Sequence, residues 1–133
     1  MLNCVLLVDD DPVNNYLNEK LINKLEIAKK VKIAHNGEEA LLYLTKHGLP
    51  YDYNFPDLII LDYHMPEMQG NEFLEFFNKI NSSRQRKSRI VILTSNVNPA
   101  IKQQMLDLGV DEYFAKPLTG DKLKKIIEKV KAG

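Results

Sequence analysis

Short apolar runs punctuate the chain at regular intervals. They are CVLLV at 4–8, VKIA at 31–34, LIIL at 58–61 and IVIL at 90–93, with a weaker fifth, YFA, at 113–115. Three are almost unbroken Val, Ile and Leu, as expected of strands buried on both faces of a parallel sheet. The segments between them have helical spacing. Pro12 suits a first helical position, and Val13, Leu17, Leu21 and Leu25 recur every four residues. Ala40, Leu41 and Leu44 mark a second helix that Gly48 can end, and Phe73, Leu74, Phe77 and Ile80 a third. Asn98-Pro99 is a cap signal for a fourth, with Ile101, Met105 and Leu108 on one face and Gly109 as its stop. Leu123, Ile126, Ile127 and Val130 give the fifth.

The pattern is strand-helix repeated five times. It predicts an α/β fold, a doubly wound (βα)5 unit of flavodoxin-like type, whose common strand order is 2-1-3-4-5. Residues 1–133 are expected to form one domain, since the length suits a single core. Two connections look long, GLPYDYNFP at 48–56 and NSSRQRKSR at 81–89, and both read as solvated loops.

Charge becomes informative at the ends of the strands. Doubly wound sheets bind ligands beyond the carboxyl ends of their strands, where the strand order reverses. The first strand runs into Asp9, Asp10 and Asp11, the third ends in Asp62, the fourth in Thr94, and Lys116 follows the fifth. All fall at one sheet edge. Clustered carboxylates repel unless protonated or bridged by a cation, and hard oxygen ligands suit Mg²⁺. A carboxylate beside such a metal can act as a nucleophile and form an aspartyl-phosphate, a transfer that needs mainly positioning and neutralised charge. Singly, each residue also has a plainer reading. Asp11 before Pro12 is equally a helix cap, Thr94 a β former, and Lys116-Pro117 a turn.

The whole set resembles the receiver domain of two-component response regulators, including the single-domain chemotaxis-type regulators. The resemblance rests on LLVDDDP, NGEEAL, PDLIILDYHMPEMQG, ILTS and YFAKPL, in that order. It implies that Asp62 is the phosphoacceptor and that Thr94 and Lys116 contact the phosphoryl group. It implies Mg²⁺ held by Asp9, Asp10, Asp62 and the backbone carbonyl of His64, with Asp10 binding directly, Asp9 acting largely through water, and Asp11 outside the ligand set. The Lys116–Pro117 bond would be cis. Tyr113 resembles the switch aromatic. Its ring would turn inward as phosphorylation draws Thr94 away, changing the face made by the fourth helix, fifth strand and fifth helix. The plainer reading of Tyr113 is an edge-strand residue with its hydroxyl in water. His64 and Asn96 sit where this family varies and would tune the lifetime of the phosphoryl group, although His64 equally reads as a loop residue contributing only its carbonyl.

Composition narrows the classes. Lys+Arg and Asp+Glu are both 18, so the chain lacks the basic footprint of a nucleic-acid binder. A single cysteine, Cys4, excludes a disulfide framework within the chain and fits a cytoplasmic setting. No apolar run approaches the roughly 20 residues of a membrane span. The lysines of the last helix (122, 124, 125, 129, 131) and RQRK at 84–87 read as solvated charge. The expected function is a phosphorylation switch rather than an enzyme acting on small substrates. Its partners would be a sensor histidine kinase or phosphotransfer protein and a downstream protein, without nucleic acid or membrane, acting as a monomer or weak dimer. With no output domain read in the chain, signalling would pass through protein contact. Two alternatives are a Mg²⁺-dependent phosphohydrolase of haloacid-dehalogenase type and an interaction module that is not phosphorylated. The first places its nucleophile on the first strand, unlike Asp62; the second has no need of the full acidic set.

Overall fold

The computed structural model describes residues 1–64, 68, 70–84 and 87–132. Ten elements alternate: β1 (Leu2–Val8), α1 (Pro12–Lys24), β2 (Ala28–Ala34), α2 (Gly37–Lys46), β3 (Leu58–Asp62), α3 (Gly70–Ser82), β4 (Arg89–Thr94), α4 (Pro99–Asp107), β5 (Glu112–Ala115) and α5 (Gly120–Ala132). The strands form one parallel sheet in the order β2-β1-β3-β4-β5, the expected flavodoxin-like arrangement. Its strand ends are level. Val8 pairs with both Ala34 and Leu61, Asp62 with Leu93, and Thr94 with Ala115.

Successive strand residues face opposite sides, so the sheet makes two cores. Leu6, Val8, Ile59, Leu61, Ile90 and Ile92 pack on one side with Leu44, Phe73, Phe77 and Met105, from α2, α3 and α4. Val5, Leu7, Leu58, Ile60, Val91 and Leu93 pack on the other with Ile22 of α1 and Leu123 and Ile126 of α5. A side chain on Gly70 would come within 2.8 Å of the Tyr63 ring, so only glycine lets α3 start this close to the end of β3.

Three expectations need correction. The α1 stripe is not the buried face: Val13 is 62% and Leu17 57% exposed, Leu25 is also exposed, and Asn15 and Ile22 face the core instead. A strict spacing of four rotates about 40° per step around a helix of 3.6 residues per turn, so such a row cannot stay on one face. β2 begins three residues before its apolar run. It is an edge strand whose exposed Lys29, Lys30 and Lys32 hid it from a hydrophobicity reading and suit an unpaired sheet edge. The two long connections are not wholly solvated, since Phe55, Arg84 and Ser88 are buried. Gln85 and Arg86 of the basic run lie outside the described residues.

Candidate functional site

The level strand ends bring Asp9, Asp10, Asp62, Thr94 and Lys116 to one edge, at the crevice where strand order reverses between β1 and β3. Asp9, Asp10 and Asp62 each offer a carboxylate oxygen within 4.8 Å of the others, with Asp9 and Asp62 buried and Asp10 exposed. The Lys116 Nζ lies 3.3 Å from Asp62 Oδ2 and 3.4 Å from Asp9 Oδ2. One ammonium facing three carboxylates leaves an excess of negative charge. Burial, then the neighbouring Asp9 carboxylate, pushes the Asp62 pKa up against the opposing pull of Lys116 and a hydrogen bond from the His64 backbone N–H. Burial works against the Lys116 charge, but Asp62 and Asp9 together outweigh it and raise its pKa.

Backbone hydrogen bonds set this geometry. The Asp9 N–H donates to Ala34 O at 3.1 Å, the Tyr63 N–H to Leu93 O at 3.2 Å, and the Lys116 N–H to Thr94 O at 2.8 Å. The Lys116–Pro117 peptide is cis, as the resemblance implies. Asp11 takes the plainer of its two readings. It caps α1, its carboxylate accepting from the Val13 N–H at 2.9 Å.

The remaining positions are placed as follows. Thr94 is buried, and its hydroxyl donates to Asn96 O and accepts from the Asn96 N–H, both at 3.3 Å. Asn96 is exposed. His64 is exposed and sets its ring edge-on to Tyr63, with centroids 4.9 Å apart. Met65, Pro66, Glu67 and Gln69 of the loop after Asp62 lie outside the described residues. Tyr113 does not hold its hydroxyl in water. The ring is 3% exposed, packs in the core facing α2–α4, and its hydroxyl has no hydrogen-bond partner among the described residues. Tyr113→Phe is therefore expected to leave stability unchanged or raise it by about 1 kcal/mol, because it deletes an unsatisfied buried group. Urea unfolding measures this, and a loss of stability would show that the hydroxyl is bonded in solution.

Three residues that support the site escaped the sequence reading. Asn14 reaches Asp9 Oδ2 at 3.5 Å, and Asn15 donates to Asp9 O at 2.9 Å. Lys122, read as solvated charge, donates to Ala115 O at 2.6 Å and Pro117 O at 2.8 Å, holding the segment on either side of Lys116. An amide or lysine on an amphipathic helix carries no local signal for such a role. Only the turn of α1 and α5 over the strand ends reveals it.

Comparison with known proteins agrees with this geometry. The sequence profile of the family described as "Response regulator receiver domain" matches residues 5–128. Two-component response regulator 24 of Arabidopsis thaliana is 32% identical over 125 residues, covering 94% of this chain and 81% of that protein. Hybrid signal transduction histidine kinase B of Dictyostelium discoideum is 35% identical over 137 aligned positions, which are 94% of this chain but 6% of that protein. The crystal structure of a two-component response regulator from Cytophaga hutchinsonii superposes with a TM-score of 0.86 at 25% identity, covering 99% of this chain and 98% of that one. Among the described residues, no helix is long and apolar enough to cross a membrane. With its aspartate cluster at the strand ends, its sheet order and its matched sequence in agreement, the chain belongs to the response regulator receiver domain family of two-component signalling.

Proposed function

We propose that this receiver accepts a phosphoryl group from a phosphohistidine on a sensor histidine kinase or phosphotransfer protein and carries it on Asp62. The observation that carries the reading is the convergence of Lys116 on both Asp62 and Asp9 beside a third carboxylate. The N–P bond of the phosphohistidine breaks as an O–P bond forms to an Asp62 oxygen, and the freed imidazole nitrogen takes a proton from solvent. Water later attacks phosphorus and returns the Asp62 carboxylate and inorganic phosphate.

The donor set fits Mg²⁺. Three carboxylate oxygens within 4.8 Å of one another suit a hard cation that takes oxygen ligands, and Asp10 stands at the exposed side of the group. Asp9, Asp10, Asp62 and the His64 carbonyl would hold the ion. When bound it would neutralise the acidic excess and the charge on the transferring group. The chain's own residues do the rest. Asp62 is the nucleophile. Lys116 neutralises a phosphoryl oxygen, and the Thr94 hydroxyl can exchange its Asn96 carbonyl for one. Drawing Thr94 toward the phosphoryl group would couple the site to Tyr113 and so to the α4-β5-α5 face, where a downstream protein would read the change.

The kinase side has a surface to use. Val13, Tyr16 and Leu17 stand exposed on α1, which leaves the site directly. Of these, Leu17 lines a groove of about 180 Å³ together with Asn14, Leu21, Lys116 and Leu118. An apolar helix face beside the catalytic lysine suits a partner that must place a phosphohistidine at Asp62.

The test is the intact mass after incubation with acetyl phosphate, with and without Mg²⁺, beside Asp62→Asn. A gain of one phosphoryl group that needs Mg²⁺ and is absent in the variant is expected. A gain of the same size in Asp62→Asn would remove Asp62 as acceptor. Turnover of small phosphate esters at a steady rate would favour the phosphohydrolase instead. Following the mass over time also tests His64 and Asn96. Exchanging each is expected to change the decay several-fold, and unchanged decay in both would take away their role.

A further inference from the structure

Asn15 is a residue that local preference does not explain. It sits in the second turn of α1, is 2% exposed, and is one of only two buried positions on that helix. Asparagine is a poor helix former, and a leucine or alanine would suit a buried helical position better. Its Nδ2 donates to Asp9 O at 2.9 Å, within a buried setting. Its Oδ1 has no hydrogen-bond partner among the described residues. Turning the amide over would set oxygen against the Asp9 carbonyl oxygen, so this orientation is the one chemistry permits. The helix therefore tolerates a buried, unsatisfied oxygen in order to place one N–H.

What that N–H grips matters. The Asp9 N–H is bound to Ala34 O, and Asp9 Oδ1 accepts from the Asp11 N–H at 2.9 Å. The Asn15 bond completes the hold by fixing the carbonyl. The carbonyl of Asp9 and the N–H of Asp10 share one rigid peptide plane. Fixing it sets where both acidic side chains leave the backbone. From this the geometry points to Asn15 as a positioning residue that aims the Asp9–Asp10 pair for the divalent cation. The inference rests on the Mg²⁺ site of the proposed function and adds a residue to it. Groups behind metal ligands commonly carry large shares of metal affinity, on the order of 10–100-fold.

The test is a titration of amide NMR signals with MgCl₂ on the full chain, alongside thermal unfolding without metal. Asn15→Leu removes both the N–H and the unsatisfied oxygen while nearly keeping the volume, and Asn15→Ala covers the case in which leucine fails to fold. The expected result is a Kd for Mg²⁺ about tenfold weaker, with a metal-free Tm equal to or above that of the parent. Labelling by acetyl phosphate should recover most of its rate once Mg²⁺ is raised to saturation. A merely structural asparagine would do the reverse, lowering the Tm and leaving the Kd alone, and a Kd within twofold of the parent in the folded variants would overturn the inference. Failure of the parent chain itself to bind Mg²⁺ would sink the metal site, and the inference with it. Binding by the parent with equal binding by the variants would sink the inference alone.

Discussion

Lys116→Met should cut the rate of Asp62 phosphorylation by about 100-fold or more while leaving Mg²⁺ binding intact or tighter. The two effects would separate because the proposed function gives Lys116 two parts. Its Nζ lies 3.3 Å from Asp62 and 3.4 Å from Asp9, so without metal it competes for the same oxygens that would hold the cation. During transfer it would instead face charge developing on the phosphoryl group, and losing one such preorganised donor typically costs about 10²–10³ in rate. The metal-free domain should also lose stability, on the order of 2 kcal/mol at neutral pH, because buried Asp9 and Asp62 are left facing each other without their cation.

That loss should depend on pH with a definite sign. The Asp62 pKa is already raised, first by burial and then by Asp9, and removing Lys116 takes away a lowering influence. A carboxylate whose folded pKa lies above its unfolded value favours folding fully only below the unfolded value, and that benefit fades as pH rises through the folded one. The penalty of Lys116→Met should therefore be greatest at neutral pH and shrink on acidification toward pH about 4, near the unfolded aspartate pKa. In the parent chain the raised Lys116 pKa adds stability that is present below the unfolded lysine value, about 10.4, and is lost above it. Single-turnover labelling at saturating Mg²⁺ and urea unfolding from pH 4 to pH 8 check both parts. A rate within fivefold of the parent would show that Lys116 does not touch the transferring group.

How far these residues could be read without coordinates depended on where their information lies. The strand-end positions of Asp9, Asp62 and Thr94 were legible because the apolar runs of β1, β3 and β4 mark those ends sharply, whereas Lys116 follows the weaker run of β5 and was placed by its Lys-Pro pair. The alternation of elements implies a parallel sheet, and its order is the common one for five such strands. The placements of Asn15 and Lys122 were not legible, because they show only in hydrogen bonds to backbone carbonyls, one from Asn15 and two from Lys122, and nothing in residue type announces those. The α1 stripe misled for a related reason. Counting every fourth residue marks a helix but not its phase, and the phase here is set by Asp11 capping the helix and by Asn15 reaching back to Asp9. The buried Tyr113 ring was not readable either, since a four-residue edge strand gives too little alternation to say which side faces the core.

The connection at 48–56 hides the largest stability effect outside the regular elements. Phe55→Ala should destabilise the chain by about 3–5 kcal/mol, the usual cost of emptying a fully buried aromatic site. Phe55 is a core member beside Leu44 and Phe77, although it sits among Tyr, Asp and Asn in a segment with every compositional mark of a solvated loop. The Arg84 guanidinium lies over its ring at 3.8 Å and is itself 3% exposed. That guanidinium donates to Leu49 O at 2.9 Å and His47 O at 3.4 Å, so it ties the loop to the far end of α3. Tyr43 donates to Asn54 O, and Ser88 to Pro56 O, closing the same seam from either side. A stacked, desolvated cation–aromatic pair is worth about 2 kcal/mol. Arg84→Met should therefore cost less than Phe55→Ala, and the double variant should cost less than the sum of the two. The whole cluster lies at the end of the sheet where β3 and β4 begin, away from Asp62 and Thr94 at their carboxyl ends. At a temperature where Phe55→Ala remains folded, its labelling rate should match the parent, so the defect would appear in urea unfolding and not in the chemistry. A cost below about 0.5 kcal/mol is what an exposed loop position would give, and it would mean that the loop does not pack in solution as it does in this structure.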